Sequence, residues 1–399
     1  MPEVSFVNLF AVALIALLSP LLLGLVPGLR IPAIVVEIVA GAVLGPAGLG
    51  LIRVDLPVRV MSLIGLAFLL FLAGLEIDVH SLRGRRLVLA LGGYGISLVL
   101  AVLGGLSFYW LDWVRSPLLL AVLLSATSLG LVVPILEDAG QIEGELGQNT
   151  VAAASVADFG AVVLLSLLFS TSGGSTGGRI VLLFAFAVLV AVTAGAVLLA
   201  DRWMRLRREV RRLQDTTAEI RVRAAVVLLM AFAALAERFG LETILGAFMA
   251  GAVVGLVDRD TSTHPRFRAK LEGIGYGFVV PVFFVVSGLR LDLRGLFHEP
   301  SALLRVPLFL LALLIVRGVP ALLYKRSFGR RASLAVGLLQ ATSLPFIVAA
   351  SQIGVVIGLM TRVTAAALIC AGLLSVLLFP TSALALLRDR ARPPAEPPP

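Results

Sequence analysis

Ser125-Ala126-Thr127-Ser128-Leu129-Gly130 and Gln340-Ala341-Thr342-Ser343-Leu344-Pro345 share an Ala-Thr-Ser-Leu core 215 positions apart. Two more matches recur in the same order. Ala40-Gly41-Ala42-Val43 returns as Ala250-Gly251-Ala252-Val253, and Gly74-Leu75 with Asp78 and Leu82 returns as Gly288-Leu289 with Asp292 and Leu296. Each Thr-Ser pair stands in an apolar run near helix-interrupting Gly or Pro: Gly130 and Pro134 in the first, Pro345 and Gly354 in the second. An apolar helix so interrupted can unwind around its Thr-Ser, exposing carbonyl oxygens and half-helix ends that stabilise ions. The alternative is that the hydroxyls back-bond within intact helices.

The surrounding chain fixes the solvent as lipid. It has 399 residues, 59% hydrophobic and 14% charged, with a mean hydropathy of +1.04. A bilayer core of ~30 Å asks for about 20 apolar residues per helix. Thirteen candidate spans follow: 5–27, 31–52, 58–76, 86–111, 116–137, 146–170, 179–203, 221–237, 241–257, 270–290, 301–325, 331–353 and 361–388. The fold class expected is an all-α polytopic membrane protein with inverted-topology repeats and two discontinuous crossing helices. Matched spans are seven apart, an odd number, so the two halves enter the membrane in opposite directions. Repeat one covers about 31–203 and repeat two about 241–388, within a single transmembrane domain over 1–391. The Pro-rich tail 392–399 is expected to be disordered and the Ser-Gly-rich stretch 171–178 to be an outer loop.

The net charge of +9 does not point to nucleic acid, because the basic residues lie in the breaks between apolar runs. With the N-terminus outside, 23 Lys and Arg fall on the cytoplasmic side, among them Arg30, Arg83, the run Arg202 to Arg223, and Arg259 to Lys270. Nine fall outside and one, Arg317, within a span. The positive-inside rule therefore predicts an inner-membrane protein, N-out and C-in. Cys370 is the one cysteine, so no disulfide or cysteine metal site exists within a chain. The N-terminus lacks a basic n-region and cleavage site, so the first span is expected to be retained.

A charged side chain at mid-bilayer costs at least about 2.5 kcal/mol on insertion scales, so each one needs a reason. Asp158 sits at the centre of the sixth span, within Ala153-Ala154-Ser155-Val156-Ala157-Asp158-Phe159-Gly160. Its small neighbours admit close helix approach. A carboxylate is a hard oxygen ligand for a dehydrated alkali cation, and burial favours a carboxyl's neutral form, so one group can hold either a proton or a cation. That is the minimum chemistry of antiport. Arg317 either stabilises the half-helix ends or neutralises Asp158; the competing reading is a side chain snorkelling toward Lys325 and Arg326. Glu37 has no obvious in-span partner and is expected to make a structural hydrogen bond. Ser155, with Glu37, is a possible secondary site residue. Glu137, Asp138, Glu143 and Glu145 form an acidic patch that reads as a solvated loop. His80, His264 and His298 lie at loops or span ends, so no intramembrane enzyme is expected.

These segments resemble the monovalent cation:proton antiporters of the sodium/hydrogen exchanger type, in the branch related to glutathione-gated potassium efflux systems. The resemblance rests on 32–50 (PAIVVEIVAGAVLGPAGLG), 65–78 (GLAFLLFLAGLEID), 124–136 (LSATSLGLVVPIL), 153–165 (AASVADFGAVVLL), 245–254 (LGAFMAGAVV) and 281–292 (PVFFVVSGLRLD). It implies that Asp158 carries cation and proton, that Thr127 and Ser128 lie beside it in an unwound segment, and that Arg317 supports the crossing, to which the repeat adds Thr342 and Ser343 of the second interrupted span. Many relatives have Asp, Asn or Gln immediately before the carrier, where this chain has Ala157; a second Asp is associated with charge-moving exchange, so its absence implies electroneutral exchange. The chain stops after the thirteenth span, without the regulatory domain of many potassium efflux relatives, so no cofactor is expected.

The expected function is exchange of Na+ or K+ for protons by alternating access, in a homodimer within the bilayer. Spans 5, 6, 12 and 13 would move against a scaffold. The alternative is a cation channel or a sodium-coupled solute carrier on the same scaffold.

Overall fold

The computed structural model describes residues 5–25, 31–77, 84–169, 219–257 and 265–388, with scattered positions between 178 and 195. The expected loop 171–177 and tail 392–399, and with them Arg30, Asp78, Leu82, Arg83 and most of the basic runs 202–218 and 259–264, lie outside the described residues. The described residues are helical: α1 Val7–Leu25, α2 Ala33–Leu44, α3 Leu56–Leu75, α4 Gly84–Trp110, α5 Pro117–Ser125, α6 Leu129–Asp138, α7 Glu145–Phe169, α8 Ile220–Arg238, α9 Thr243–Val257 and α10 Pro265–Ile274. A π-helical turn, Gly275–Val279, continues into α11 Val280–Leu289. Then come α12 Leu293–His298, α13 Pro300–Gly318, a 3-10 segment Val319–Tyr324, α14 Lys325–Gln340, α15 Pro345–Val356 and α16 Arg362–Arg388.

Among the described residues, eight helical runs are long and apolar enough to cross a membrane, and Ala33–Leu44 and Thr243–Leu256 are shorter apolar helices. One of the eight, Pro300–Val356, is 57 residues long and encloses two of the expected spans. Gly329, at φ 79°, interrupts it with a left-handed conformation that glycine tolerates. The expected span 31–52 is cut short at Leu44. Gly45 turns to extended backbone (φ −74°, ψ 179°) before Pro46, which disfavours helical geometry in the residue ahead of it.

Internal contacts divide the chain into two compact units. The first comprises Met1–Leu22, Ile52–Ile77 and Val162–Val286. In it α3 lies so close to α9 that a Cβ on Gly74 would collide with Phe248 O and stand 2.9 Å from Ala252 N, and one on Gly251 would collide with Phe71 O. Asn8 Nδ2 donates to Asp55 Oδ2 (2.9 Å), tying α1 to the start of α3, where Asp55 caps Val58 N.

The second unit comprises Leu23–Leu51, Asp78–Ala161 and Ser287–Pro399. Here a Cβ on Gly288 would collide with Ile38 O and stand 2.9 Å from Ala42 N. Phe248 and Ala252 lie 210 positions after Ile38 and Ala42, and Gly288 lies 214 after Gly74. The same backbone contact is thus made once in each unit. Leu129, Val132 and Leu136 of α6 share an apolar cluster with Ala335, Val336 and Leu339 of α14. Between helices in lipid such contacts act through dispersion and fit rather than release of water.

Candidate functional site

The site lies in the second unit, where two helices stop and restart. Ser116 caps Leu119 N (3.3 Å) and Pro117 opens α5. The helix ends at Ser125. Ala126 is extended (φ −75°, ψ 155°), as is Ser128 (φ −117°, ψ 98°), and α6 starts at Leu129. The second interruption follows Gln340: Leu344 leaves helical geometry (φ −140°, ψ −55°), and Pro345, which has no N–H to lose, opens α15.

Broken helices leave main-chain donors and acceptors without intrahelical partners. Here the two breaks satisfy one another. Ser128 N donates to Thr342 O (3.0 Å), and Thr127 Oγ1 donates to Gln340 O (2.8 Å). Ser343 N donates to Ser375 Oγ (3.2 Å) on α16, which donates in turn to Gly372 O (2.7 Å). The two threonines differ. Thr342 Oγ1 back-bonds to Leu338 O (3.2 Å), as the alternative reading supposed, whereas Thr127 Oγ1 reaches the other break.

Asp158 projects from α7 and is 7% exposed. Its Oδ2 accepts from Leu129 N (3.1 Å), the first N–H of α6. A helix start presents free N–H groups and the positive end of the backbone dipole, so it favours an anion. Oδ1 has no hydrogen-bond partner. Ser155, three residues earlier and so on the same face of α7, is also buried with its Oγ unpartnered. Ser128 is buried without a side-chain capping bond, and Ser343 Oγ is unpartnered. Two residues past Asp158, the absent side chain of Gly160 makes room for Tyr94 of α4: a Cβ there would lie 2.6 Å from Cζ and 2.7 Å from the hydroxyl. That hydroxyl is 3.3 Å from Ser125 Oγ.

Arg317, in the last turn of α13, is 1% exposed, so its side chain does not snorkel. Nε donates to Thr127 Oγ1 (2.8 Å) and Nη1 to Ser97 Oγ (3.0 Å). Nη2 has no partner. Arg268–Glu272 and Lys270–Glu219 are ion pairs, whereas Arg317 and Asp158 do not approach within ion-pair distance of each other. The guanidinium supports the first break directly and acts on Asp158 through space.

Glu37 is 4% exposed on α2. The structural hydrogen bond expected for it is absent among the described residues. Sequence reasoning missed Tyr94 and Ser97 of α4 and Ser375 of α16, uncharged polar residues in apolar helices. The hint available was their rarity in those runs. It also passed over Gln340, whose carbonyl binds Thr127 while its Nε2 is unpartnered. Among the described residues no three His, Cys, Asp or Glu side chains gather into a metal cluster. The Asp158 carboxylate and the hydroxyls of Thr127, Ser128 and Ser155 on the neighbouring break and its own helix are hard oxygen donors, with the Arg317 charge acting on the carboxylate through space.

The profile of the sodium/hydrogen exchanger transmembrane family matches residues 13–388. The chain belongs to this family. YjbQ of Bacillus subtilis, provisionally named a Na(+)/H(+) antiporter, is 31% identical to this chain over 413 residues, covering 98% of the chain and 65% of YjbQ. The chain thus spans just under two thirds of that relative's length. The Na(+)/H(+)-K(+) antiporter GerN of Bacillus cereus is 29% identical over 302 residues, 74% of each chain. Among solved structures, the sodium proton antiporter MjNhaP1 from Methanocaldococcus jannaschii superimposes with a TM-score of 0.64 at 17% identity, covering 96% of this chain and 98% of that one. The chain therefore has that antiporter's fold, and its named relatives are transporters rather than enzymes.

Proposed function

We propose that this exchanger moves a monovalent cation, Na+ or K+, in return for protons by alternating access, with Asp158 as the shared carrier. The observation that carries the reading is the state of the Asp158 carboxyl. One oxygen is held by Leu129 N at the start of a half-helix and the other, buried, has no protein partner. A group so placed needs a proton or a cation to be tolerated in a membrane interior. Either ligand neutralises the carboxylate, and only the neutralised site crosses. Thr127 and Ser128 shape the break beside it, Ser155 offers a second oxygen, Arg317 and Thr342 hold the two breaks together, and Ser343 ties the second break to α16. The names of YjbQ, GerN and MjNhaP1 agree with this chemistry.

Exchange is one for one, because Ala157 supplies no second acid beside the carrier. The chain has thirteen spans arranged as two inverted repeats in one transmembrane domain, N-out and C-in, in a homodimer of the inner membrane. The duplicated contact, Gly74 against Phe248 and Ala252, Gly288 against Ile38 and Ala42, supports the repeat: each glycine meets the equivalent atoms of the opposite half. Spans 5, 6, 12 and 13 move against the rest.

The test is dissipation of a proton gradient in inverted membrane vesicles on addition of Na+, K+ or Li+. Wild type should respond and Asp158→Asn, folded and inserted, should not. A current without proton movement would indicate a channel, and cation-dependent uptake of an organic solute a solute carrier. Wild-type exchange in Asp158→Asn would remove Asp158 from the mechanism.

A further inference from the structure

A single turn of α4 meets three helices of the site. Tyr94 and Ser97 stand three residues apart on it, which puts them on one face, and both are buried. Ser97 Oγ accepts from Arg317 Nη1 of α13 (3.0 Å), and the same guanidinium holds Thr127 in the first break. The Tyr94 ring fills the niche left by Gly160 on α7, two residues past Asp158. Its hydroxyl is 3.3 Å from Ser125 Oγ, on the last residue of α5 before the break. Ser125 Oγ gives its one proton to Val122 O (2.9 Å), so Tyr94 is the donor in that pair.

The niche alone does not call for tyrosine. A phenylalanine ring would fill it equally, and a buried hydroxyl without a partner is a cost. What the hydroxyl adds is a tie between α7 and α5. A second contact fixes α4 against α5 farther along: a Cβ on Gly105 would collide with Pro117 O and stand 3.1 Å from Pro117 C, so the two helices meet there through main chain. With α4 seated at Gly105 and bonded at Tyr94, the end of α5 is set relative to the turn of α7 that carries Asp158. The bond that depends on this spacing is Leu129 N to Asp158 Oδ2 (3.1 Å), since only the unwound Ala126-Thr127-Ser128 separates Ser125 from Leu129.

We propose that Tyr94 is a positioning residue of the carrier site: its hydroxyl holds Ser125 while its ring holds α7 at Gly160, and together they set the distance between the Asp158 carboxyl and the N–H of Leu129. It binds neither cation nor proton. With the hydroxyl removed, the end of α5 loses its tie to α7, the Leu129 bond to Oδ2 slackens, and the oxygens at the carboxyl are no longer held ready for a cation. Binding weakens, while the step that carries a loaded, neutral site across is untouched. The inference rests on Asp158 as the carrier only where transport is measured.

Two measurements on the reconstituted full chain test it. In exchange assays Tyr94→Phe, which keeps the ring in its niche, should raise the apparent KM for the cation about three- to tenfold, the scale of one neutral hydrogen bond, and leave the maximal rate at saturating cation as in wild type. Ser125→Ala should do the same, and the double variant should be no worse than either single one, because all three lack the same bond. A wild-type KM in Tyr94→Phe, or effects that multiply in the double variant, overturns the proposal. Infrared difference spectra read the protonated Asp158 carboxyl without transport, its band assigned by its loss in Asp158→Asn. The bond from Leu129 N to Oδ2 lowers the carbonyl stretch, so Tyr94→Phe should move that band to higher frequency. An unmoved band overturns the proposal whatever the KM. Should Tyr94→Phe fail to insert, Ser125→Ala decides by the same two readings. Failure of wild type to exchange any cation would sink the antiport reading while the infrared band still decided Tyr94.

Discussion

Arg317 Nε donates to Thr127 Oγ1 at 2.8 Å, and Thr127 Oγ1 donates onward to Gln340 O at 2.8 Å. A guanidinium on one helix thereby joins the unwound segment of a second to the last turn of a third. With Ser97 also bonded, two of the Arg317 nitrogens are committed. Arg317→Gln should therefore lower stability by about 1.5–3 kcal/mol, the range for hydrogen bonds to a charged group. Arg317→Lys, which keeps the charge but loses the fork, should fall between. Thermal unfolding in detergent measures both; a Gln variant that melts with wild type would mean the bonds support nothing.

Competition at Asp158 sets a sign for pH. If one carboxyl takes either ligand, acid raises the apparent KM for the cation and leaves the maximal rate at saturating cation nearly unchanged. Below the pH at which the site takes its proton the rise is about tenfold per pH unit. Above it the KM levels off. Initial exchange rates over a grid of cation concentration and pH check this, and a KM that does not respond to acid would separate proton and cation sites.

The breaks and the carrier were legible in the sequence because both are exceptions to their surroundings. Ala126-Thr127-Ser128-Leu129 and Ala341-Thr342-Ser343-Leu344 repeat at fixed separation beside Gly and Pro, and Asp158 is a lone acid in an apolar run. What was not legible is lateral. Whether Arg317 meets Thr127 and Ser97 or runs to the surface depends on the rotation of each helix about its axis, and a helix apolar all round carries no periodicity to report it. The same blindness hid Ser375 and the isolation of Glu37. The end of α2 at Leu44 was misjudged because Gly45-Pro46 sits in a stretch whose hydrophobicity continues past the helix.

Gly160→Ala should strain the packing of α7 on α4, since the new methyl meets the Tyr94 ring. Overpacking of this kind costs about 1–3 kcal/mol. Pairing it with Tyr94→Leu should recover part of the loss, and a double-mutant cycle on melting temperature reads the coupling. Additive effects would mean the ring moves aside freely.

Ser155 Oγ, unpartnered and three residues from Asp158, serves the cation or nothing. Ser155→Ala should raise the apparent KM for the preferred cation several-fold and spare folding. It should also change the ranking of Na+, K+ and Li+, because removing one oxygen affects cations of different radius unequally. An unaltered ranking and KM would leave Ser155 a spectator.

The seats of Gly74, Gly251 and Gly288 also bear on how such a chain can change over generations. A leucine facing lipid can drift to valine or isoleucine and disturb no neighbour. At these three positions any side chain meets main chain, which has no alternative rotamer to adopt. Gly65, Gly105 and Gly246 are seated in the same way, against the main chain of Val279, Pro117 and Phe232. The bare residues are what a lineage carrying this chain has to inherit intact.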